Sequence, residues 1–595
     1  MTNELNEILD MNKEGLNASK YTTASAMMDA LKEAGVSYIF ANLGSDHPAI
    51  IESWAQAKLE NRRIPEIIIC PHEMVALSAA HSFAQMTGKP QAVFVHVECG
   101  TQNLGGAIHN AARGRIPVLI FAGTSPFTQE GELTGSRNEF IHWIQDVFDQ
   151  RGIVRQYMKY DNEIRTGKNI KQLVHRALQI SQSDPKGPVY LMAAREVLEE
   201  QVERTPFDTK GWEPLCPGAI PPQRIADIAN DLLKAKNPLI VTSYLGRNAE
   251  AVNELIRLSE RLAIPIIEAV PNYVNFPSDH PMHIGFHWNN PQQNGHLASA
   301  DLVLVLDSDV PWIPLYNKPS EDCKIYYIDV DPLKEKTPLW YIPSEGFFKA
   351  DSHIALQQLN SYLDEINIID EHALSLRYQT ISEFHHAQRQ EWKRLEKLED
   401  NRVITPQWLT ACIREVIDED AIVVNESITN YDIVSKHLLR NKPGTLLGSG
   451  ASSLGWNGGA AIGAKLAAPD KLVVNLTGDG SYMFSHPTSV HWISRKYNAP
   501  FLTVIYNNRG WGAPRYSTLG VHPNGVASQT DQFWINFDPP AKLAKVAEAA
   551  GGAYARTVRY PNELMEALIN AINMVKEGRS VVIDVQLPQV SHQEL

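Results

Sequence analysis

Apolar segments alternate with amphipathic segments along most of the chain, and this alternation predicts the class of fold. After residue 20, short apolar runs such as SYIFAN, QAVFVHV and PVLIFAG are separated by longer stretches with helical periodicity, such as SAMMDALKEAGV and MVALSAAHSFAQMTG. Strands that alternate with helices indicate βαβ units, in which helices cover both faces of a parallel sheet. We therefore predict an α/β fold built from doubly wound parallel sheets.

Breaks in this pattern divide the chain into three predicted domains. The first covers residues 20–200 and ends before the Pro-rich stretch RTPFDTKGWEPLCPGAIPP, where no regular element is expected. The second covers residues 220–365 and is followed by a charged stretch that is predicted to be a solvated linker helix. The third covers residues 404–590. Three domains also suit a chain of 595 residues, because a single hydrophobic core stops growing at about 250–300 residues.

Charge and composition narrow the class of partner. The formal net charge of −14 disfavours a general attraction to nucleic acids or anionic membranes. Apolar runs stay shorter than the roughly 18 residues of a membrane span, and the first twenty residues lack the apolar core of a secretory signal. The five cysteines are odd in number and never form a C-x-x-C pair, which disfavours disulfide scaffolds and structural zinc. We expect a cytoplasmic protein that acts on small molecules.

The strongest chemical signal lies in the third predicted domain, at the ends of two apolar strands. The run KLVVNLT leads into GDGS (residues 478–481), and the run FLTVIY leads into Asn507 and Asn508. The carboxyl ends of parallel strands are where open α/β sheets bind ligands. A Gly-Asp-Gly turn lets backbone N–H groups approach a phosphate, and its carboxylate with an amide oxygen offers hard ligands for Mg²⁺. Taken alone, GDGS is explained equally well as a plain turn.

In its context this pattern resembles the diphosphate-binding motif of thiamine-diphosphate-dependent enzymes. The resemblance implies that the Asp479 and Asn508 side chains bind Mg²⁺ together with the backbone oxygen of Gly510, with Asn507 as the alternative to Asn508. Three further residues are implied to contact the cofactor: Gly478, Gly480 and Ser481. Thiamine diphosphate and Mg²⁺ are therefore the expected cofactors. The expected fold comprises pyrimidine-binding, central Rossmann-like and diphosphate-binding domains.

Two other segments carry the same resemblance. SSLGWNGGAAIGAKLAAPDK is similar to a glycine-rich helix entry of the family, which implies that Leu454 holds the cofactor bent, although residues 456–459 depart from the family pattern. PEIIICPHEMVALSAAHSFAQMTGKPQ is similar to the segment that supplies the activating glutamate, which implies this role for Glu73. In isolation Glu73 is better explained as an acid that stabilises a helix start. The activated cofactor forms a carbanion that attacks a carbonyl and then serves as an electron sink.

Matches to benzoylformate decarboxylases suggest how the substrate is handled. ANLGS and VHVECGTQNLGGAIHNA resemble segments of those enzymes, which implies that Ser45 binds the substrate carboxylate and that His96 is an acid/base. Without the resemblance, a lone histidine is usually structural. Ala300 stands where a second histidine is expected. Three nearby histidines remain open as replacements: His283, His287 and His296.

The resemblance also implies a function and an assembly. We expect a 2-oxo acid decarboxylase or carboligase, with an aldehyde or ketone as the acceptor in the second case. Because Glu73 and Asp479 meet across a subunit boundary in this family, the protein is expected to be a homodimer or homotetramer with its site at the interface.

Two alternatives stay open. An acetolactate synthase-like enzyme is similar in layout, although Ile141 and His142 follow Phe140 where that branch has a catalytic glutamine. That branch often binds FAD in the middle domain, and YLGR and IDVDP would be its contacts here, but ordinary strand ends are the favoured interpretation, so FAD is not expected. The other alternative is a catalytically degenerate subunit, which the retention of Glu73, Asp479 and Asn508 argues against.

Overall fold

A computed structural model describes residues 20–366, 370–400 and 402–590. It contains three parallel sheets of six strands, each covered by helices. The predicted fold class, an α/β fold of three doubly wound parallel sheets, is confirmed. Within the described residues, no helix combines the length and apolarity needed to cross a lipid bilayer.

The first sheet is formed by the part of the chain before residue 200. Its strands are β1 Tyr38–Ala41, β2 Glu66–Ile69, β3 Gln91–Val95, β4 Val118–Thr124, β5 Tyr160–Ile164 and β6 Val189–Ala194. Its helices are α1 Thr23–Glu33, α2 Pro48–Leu59, α3 Glu73–Thr87, α4 Val97–Asn103, α5 Ala107–Arg113, α6 Ile141–Ile144, α7 Ile170–Gln182 and α8 Arg195–Leu198, with 3₁₀ turns at Arg151–Ile153, Arg155–Tyr157 and Gly167–Asn169. The spatial order is β2-β1-β3-β4-β6-β5.

The second sheet forms the middle of the chain. Its strands are β7 Pro238–Thr242, β8 Ile266–Ala269, β9 His283–His287, β10 Leu302–Leu306, β11 Lys324–Asp329 and β12 Gly346–Lys349, in the order β12-β11-β10-β7-β8-β9. Its helices are α9 Pro222–Lys234, α10 Ala249–Leu262, α11 Gly295–Ser299 and α12 Ser352–Asp364, with a 3₁₀ turn at Leu245–Arg247. The charged stretch that follows is α13 Glu371–Leu395, a mostly exposed helix as its sequence predicts.

The third sheet repeats the strand order of the first. Its strands are β13 Ile422–Glu426, β14 Leu446–Leu447, β15 Val473–Gly478, β16 Leu502–Asn507, β17 Tyr554–Val558 and β18 Val581–Gln586, in the order β14-β13-β15-β16-β18-β17. Its helices are α14 Pro406–Val416, α15 Tyr431–Leu438, α16 Trp456–Ala467, α17 Asp479–Phe484, α18 Pro487–Lys496, α19 Gly512–Val521, α20 Val526–Thr530, α21 Leu543–Gly551 and α22 Pro561–Lys576, with a 3₁₀ turn at Ile428–Asn430.

Helices α3 and α16 join the first and third sheets through a close backbone contact. A Cβ atom on Gly459 would lie 2.6 Å from the Ser78 Cβ and 2.7 Å from the Val75 carbonyl oxygen. A Cβ atom on Gly463 would overlap the carbonyl oxygen of Ala79. Only glycine lets two helices approach this closely, so these two positions fix the distance between the helices.

Candidate active site

The predicted metal ligands lie at the carboxyl ends of two paired strands. Strand β15 runs directly into helix α17, which begins at Asp479, and the neighbouring β16 runs into Asn508. Gly478 pairs with Tyr506 in the parallel register of the two strands. The loop after each strand therefore begins at the same edge of the sheet.

Asp479 is held in place by backbone N–H groups. Its carboxylate accepts hydrogen bonds from the N–H groups of Gly480, at 2.7 Å, and Gly510, at 3.1 Å. The side chain is buried, and this burial raises the pKa of Asp479 to about 6 despite the hydrogen bonds, which act in the opposite direction. A buried carboxylate of this kind gains stability when a cation binds beside it.

The two neighbouring asparagines have different surroundings. The Asn507 amide donates to Asp584 at 2.8 Å, and its oxygen accepts from the N–H of Arg509 at 3.1 Å. Asn507 is therefore already engaged in the protein. Asn508 is also buried, but unlike Asn507 it lines an open cavity, so of the two it is better placed to offer an oxygen to a metal.

A cavity of about 340 Å³ opens at this edge of the third sheet. All seven residues that the resemblance assigns to the cofactor or metal in the third domain line it: Leu454, Gly478, Asp479, Gly480, Ser481, Asn508 and Gly510. The wall is completed by the 3₁₀ turn at Ile428–Asn430 and by residues 511–514. Residues that follow the strands β13, β15 and β16 thus line one cavity together with Leu454, which precedes helix α16.

The glycines of the 478–480 loop are not equivalent. A Cβ atom on Gly480 would lie 2.5 Å from Nε1 and 2.8 Å from Cδ1 of Trp511, whose ring lines the same cavity. A Cβ atom on Gly478 would meet nothing within 4 Å. Gly478 therefore leaves open space beside its backbone, as a phosphate would need, whereas a side chain at position 480 would push against Trp511.

A buried glutamate behind the cavity was not predicted from the sequence. Glu426, at the end of β13, accepts hydrogen bonds from the N–H of Gly455 at 2.6 Å, the N–H of Asn457 at 2.7 Å and the Asn457 amide at 2.9 Å. Burial raises the pKa of Glu426 to about 7. These contacts hold the start of α16, two residues after Leu454, and two of the three come from Asn457, which departs from the family pattern.

A second cluster lies at the corresponding edge of the first sheet. Glu73 is the first residue of α3, it is 7% exposed, and its carboxylate accepts a hydrogen bond from the amide of Asn103. His96 follows β3 and is close enough to Glu73 for the carboxylate to favour the protonated ring. The hydroxyl oxygen of Ser45, in the loop after β1, is buried without a hydrogen-bond partner in the described structure.

Two residues that the sequence reasoning missed complete this cluster. Asp46 is buried and lies 2.5 Å from Nδ1 of His96. Gln145 is also buried, and its amide faces the ring of His96. It contributes to raising the pKa of His96, although burial alone would lower that pKa and Asp46 has the larger opposing effect. Gln145 lies four residues beyond Ile141, the position that directly follows Phe140.

The three histidines that stayed open as replacements have varied surroundings. His283 lies between Glu268, at 3.0 Å, and Arg389, at 2.7 Å, so both of its ring nitrogens are engaged inside the protein. His296 packs edge-on against Phe384. His287 is buried and its ring nitrogens lack a hydrogen-bond partner among the described residues. None of the three lines the cavity beside Asp479.

The middle sheet has a topological switch point of the kind at which α/β sheets bind nucleotides. Its strand order reverses between β7 and β10, and nucleotides bind open α/β sheets at such a point. Here the crevice contains Asp307 paired with Arg247 at 3.0 Å and Asp329 paired with Arg115 at 3.0 Å and Lys334 at 2.7 Å. The charged groups at this point of the sheet are thus paired with one another.

Comparison with known families identifies the class of protein. Three models for thiamine pyrophosphate enzymes match the chain: the N-terminal TPP binding domain at residues 21–153, the central domain at residues 225–338 and the C-terminal TPP binding domain at residues 427–585. Together they cover more than half of its length. The chain therefore belongs to the thiamine-diphosphate-dependent enzyme family, as its sequence motifs predict.

Individual relatives of known activity are distant. The acetolactate synthase large subunit of Haemophilus influenzae is 24% identical, and the match covers 96% of each chain. The sulfoacetaldehyde acetyltransferase of Roseovarius nubinhibens is also 24% identical, over 96% of this chain and 93% of the relative. Among solved structures, the 4-hydroxybenzoylformate decarboxylase of Rhodococcus jostii matches with a TM-score of 0.76 at 20% identity, over 96% of this chain and 99% of that one. At this identity the structural match shows the fold alone.

Proposed function

We propose that the protein is a thiamine-diphosphate- and Mg²⁺-dependent enzyme that releases CO₂ from a 2-oxo acid. The remaining carbon unit then takes up a proton or joins an aldehyde or ketone acceptor. The observation that carries this proposal is the cavity beside Asp479, because all seven implied ligands of the third domain line it. Such a convergence from distant parts of the sequence is what a binding site requires.

Each of the seven implied cavity residues has a proposed role, as do three residues of the first sheet. The Asp479 and Asn508 side chains and the Gly510 carbonyl hold Mg²⁺, and the backbone around residues 478–481 receives the diphosphate. Leu454 supplies the apolar support beneath the cofactor. When bound, thiamine diphosphate supplies an acidic carbon and an electron sink for breaking a bond next to a carbonyl. Glu73 hydrogen-bonds the aminopyrimidine, Ser45 binds the substrate carboxylate, and His96 moves protons.

The proposed site needs two copies of the chain. The residues that line the cavity all belong to the region after residue 426, whereas Glu73, Ser45 and His96 lie at the edge of the first sheet. Large apolar side chains are also exposed near this cluster of the first sheet, among them Phe140, Ile144 and Phe148. Exposed apolar patches of this kind mark interfaces. A homodimer or homotetramer in which the first-sheet edge of one copy covers the cavity of another satisfies both observations.

The competing proposal within the same family is an acetolactate synthase-like carboligase. Several of the sequence relatives are named as acetolactate synthases, whereas structural neighbours are named as decarboxylases. The buried Gln145 beside His96 favours the acetolactate synthase-like proposal, because the resemblance to that branch implies a catalytic glutamine in this segment. Product analysis separates the two reactions: a free aldehyde indicates a decarboxylase, and a hydroxyketone or hydroxy-oxo acid indicates a carboligase.

The first experiment measures CO₂ release from a panel of 2-oxo acids that includes pyruvate and benzoylformate, with thiamine diphosphate and Mg²⁺ present. Wild type is compared with Glu73→Gln, and the organic products are identified. Turnover that is lost in Glu73→Gln while the cofactor still binds supports the proposal. Cofactor binding without turnover of any acid would reject the 2-oxo acid substrate class.

Mixing two inactive variants tests the shared site. In a dimer of Glu73→Gln with Asp479→Asn, one site would contain both native residues and the other site neither. A randomly mixed population should therefore recover about a quarter of the wild-type activity if each site combines Glu73 from one copy with Asp479 from the other. No recovery is expected if both residues serve the site within one chain. Gel filtration of both variants controls for loss of assembly.

A further inference from the structure

A buried aspartate forms a pair with His96, the proposed acid/base. Asp46 follows β1 in the chain, and His96 follows the neighbouring strand β3, so the two residues meet although 50 positions separate them. Oδ1 of Asp46 lies 2.5 Å from Nδ1 of His96, and Oδ2 accepts a hydrogen bond from the N–H of Val97 at 3.1 Å. The carboxylate is thus bound to both the side chain and the backbone at the start of α4.

The backbone packs closely around this pair, and Nδ1 of His47 lies 3.0 Å from the same Oδ1 atom of Asp46. A Cβ atom on Gly44 would overlap the ring of His96, and a Cβ atom on Gly123 would overlap the Asp46 carboxylate. Asp46 is 1% exposed, whereas the His96 side chain is 23% exposed. The carboxylate is therefore enclosed, and the ring extends from it towards the open edge of the sheet.

The geometry determines which ring nitrogen of His96 carries a proton. A carboxylate at Nδ1 requires a proton on that nitrogen, and the proton that can exchange with a ligand is then the one on Nε2. We propose that Asp46 is a positioning residue that holds His96 as the Nδ1–H form and favours its protonated ring, so that Nε2 donates a proton to the substrate-derived group. The ring then regains a proton from water. This inference rests on the proposed function of His96.

The charges around the pair agree with this role. Burial alone would lower the pKa of His96, but the hydrogen bond and charge of Asp46, with smaller contributions from Gln145 and Glu73, raise it overall. Burial alone would raise the pKa of Asp46, but His47 and His96 together hold it well below its usual range. Two other titratable groups interact electrostatically with Asp46 from a greater number of residues away in the chain: His142 and Tyr190.

The Asp46→Asn variant tests the pair with little change in volume. Because the N–H of Val97 still needs an acceptor, the asparagine is expected to keep its oxygen there and turn its NH₂ towards Nδ1. The ring then loses its negative partner, and an NH₂ donor at Nδ1 favours the Nε2–H form over the Nδ1–H form. We expect kcat to fall at least tenfold with little change in KM, and the basic limb of the pH profile to move to lower pH.

A readout without catalysis separates this inference from the proposed function. The pH midpoint of deuterium exchange at the Cε1–H of His96, followed by peptide mass spectrometry on the apoprotein, reports the pKa of that one ring. We expect the midpoint to fall by at least one pH unit in Asp46→Asn, with that of His437 unchanged as an internal control. This comparison stands even if wild type turns over no 2-oxo acid.

A matched carboxylate controls for nonspecific effects. Glu200 also accepts a backbone N–H, from Gly167 at 2.6 Å, in the same domain but away from His96. Glu200→Gln should leave the exchange midpoint of His96 and kcat as in wild type. The inference is overturned if the His96 midpoint is the same in wild type and Asp46→Asn, or if Glu200→Gln lowers it equally. If Asp46→Asn shifts the exchange midpoint of His96 but leaves kcat as in wild type, Asp46 sets the pKa of the ring without contributing to turnover, and the proposed catalytic role is overturned.

Discussion

Two glycines of one loop should respond oppositely to the same added methyl group. In Gly480→Ala the new Cβ would lie 2.5 Å and 2.8 Å from two atoms of Trp511, well inside the roughly 3.5–4.0 Å of an optimal contact. Overpacking of this kind costs about 1–3 kcal/mol. Trp511 is 39% exposed and can tilt, which places the expected loss of unfolding free energy at about 1 kcal/mol.

Gly478→Ala is the matched control for the folded protein. Its Cβ would meet nothing within 4 Å, and its backbone, at φ −75° and ψ 161°, is one that alanine adopts freely. The substitution should be neutral or should stabilise by about 0.4–1 kcal/mol, because alanine reduces the freedom of the unfolded chain.

Urea unfolding of the apoproteins, followed by tryptophan fluorescence, measures this difference. The midpoint should fall in Gly480→Ala and should not fall in Gly478→Ala. A tilted Trp511 would also intrude on the cavity, so the cofactor should bind more weakly to Gly480→Ala. Each 1 kcal/mol of binding free energy that is lost raises Kd about 5-fold. Equal midpoints for the two variants would refute the packing argument.

Three further predictions concern other contacts. Because the pKa of Asp479 is raised to about 6 and a metal ligand must be ionised, Mg²⁺ and thiamine diphosphate should bind about tenfold more weakly at pH 5 than at pH 7.5 in fluorescence titrations, and a flat profile would contradict this. Gly463→Ala should lower the unfolding midpoint strongly, since its Cβ would overlap the Ala79 carbonyl, whereas Gly35→Ala, where only a positive φ is at stake, should cost about 1 kcal/mol. Arg115→Met should lower the free energy of unfolding by about 3–5 kcal/mol, because it leaves buried Asp329 poorly paired. Arg224→Met removes an exposed ion pair and should lower it by less than about 1 kcal/mol in the same urea assay.

The sequence predicts most of the fold and the third-domain cluster for the same reason. Short apolar runs separated by amphipathic segments leave few alternatives to parallel sheets, and the ends of neighbouring parallel strands must meet. Asp479 and Asn508 therefore come together although 28 residues lie between them. The choice of Asn508 over Asn507 was open in the sequence, because it depends on the hydrogen bond from Asn507 to Asp584, a residue 77 positions away.

Residues that act through tertiary contacts escaped prediction. Asp46 directly follows Ser45, yet no local pattern shows that it reaches His96. Glu426 ends a strand whose sequence, IVVNE, does not show that its carboxylate binds the start of α16. Gln145 follows a short helix that the apolar pattern did not predict. In each case a buried polar group has its partner in a distant segment, so its role becomes visible only when the segments are placed together.

The close contact of α3 and α16 has a mechanical consequence. Helix α3 begins with Glu73, and helix α16 begins two residues after Leu454. Since Gly459 and Gly463 let the two backbones touch, no flexible side chain between them can absorb a small displacement. The positions of Glu73 and Leu454 in one chain are therefore tied to each other through the contact of the two helices. In the proposed paired assembly Glu73 and Leu454 of one chain would belong to two different sites, so a displacement of the helix pair at one site would also displace a residue of the other.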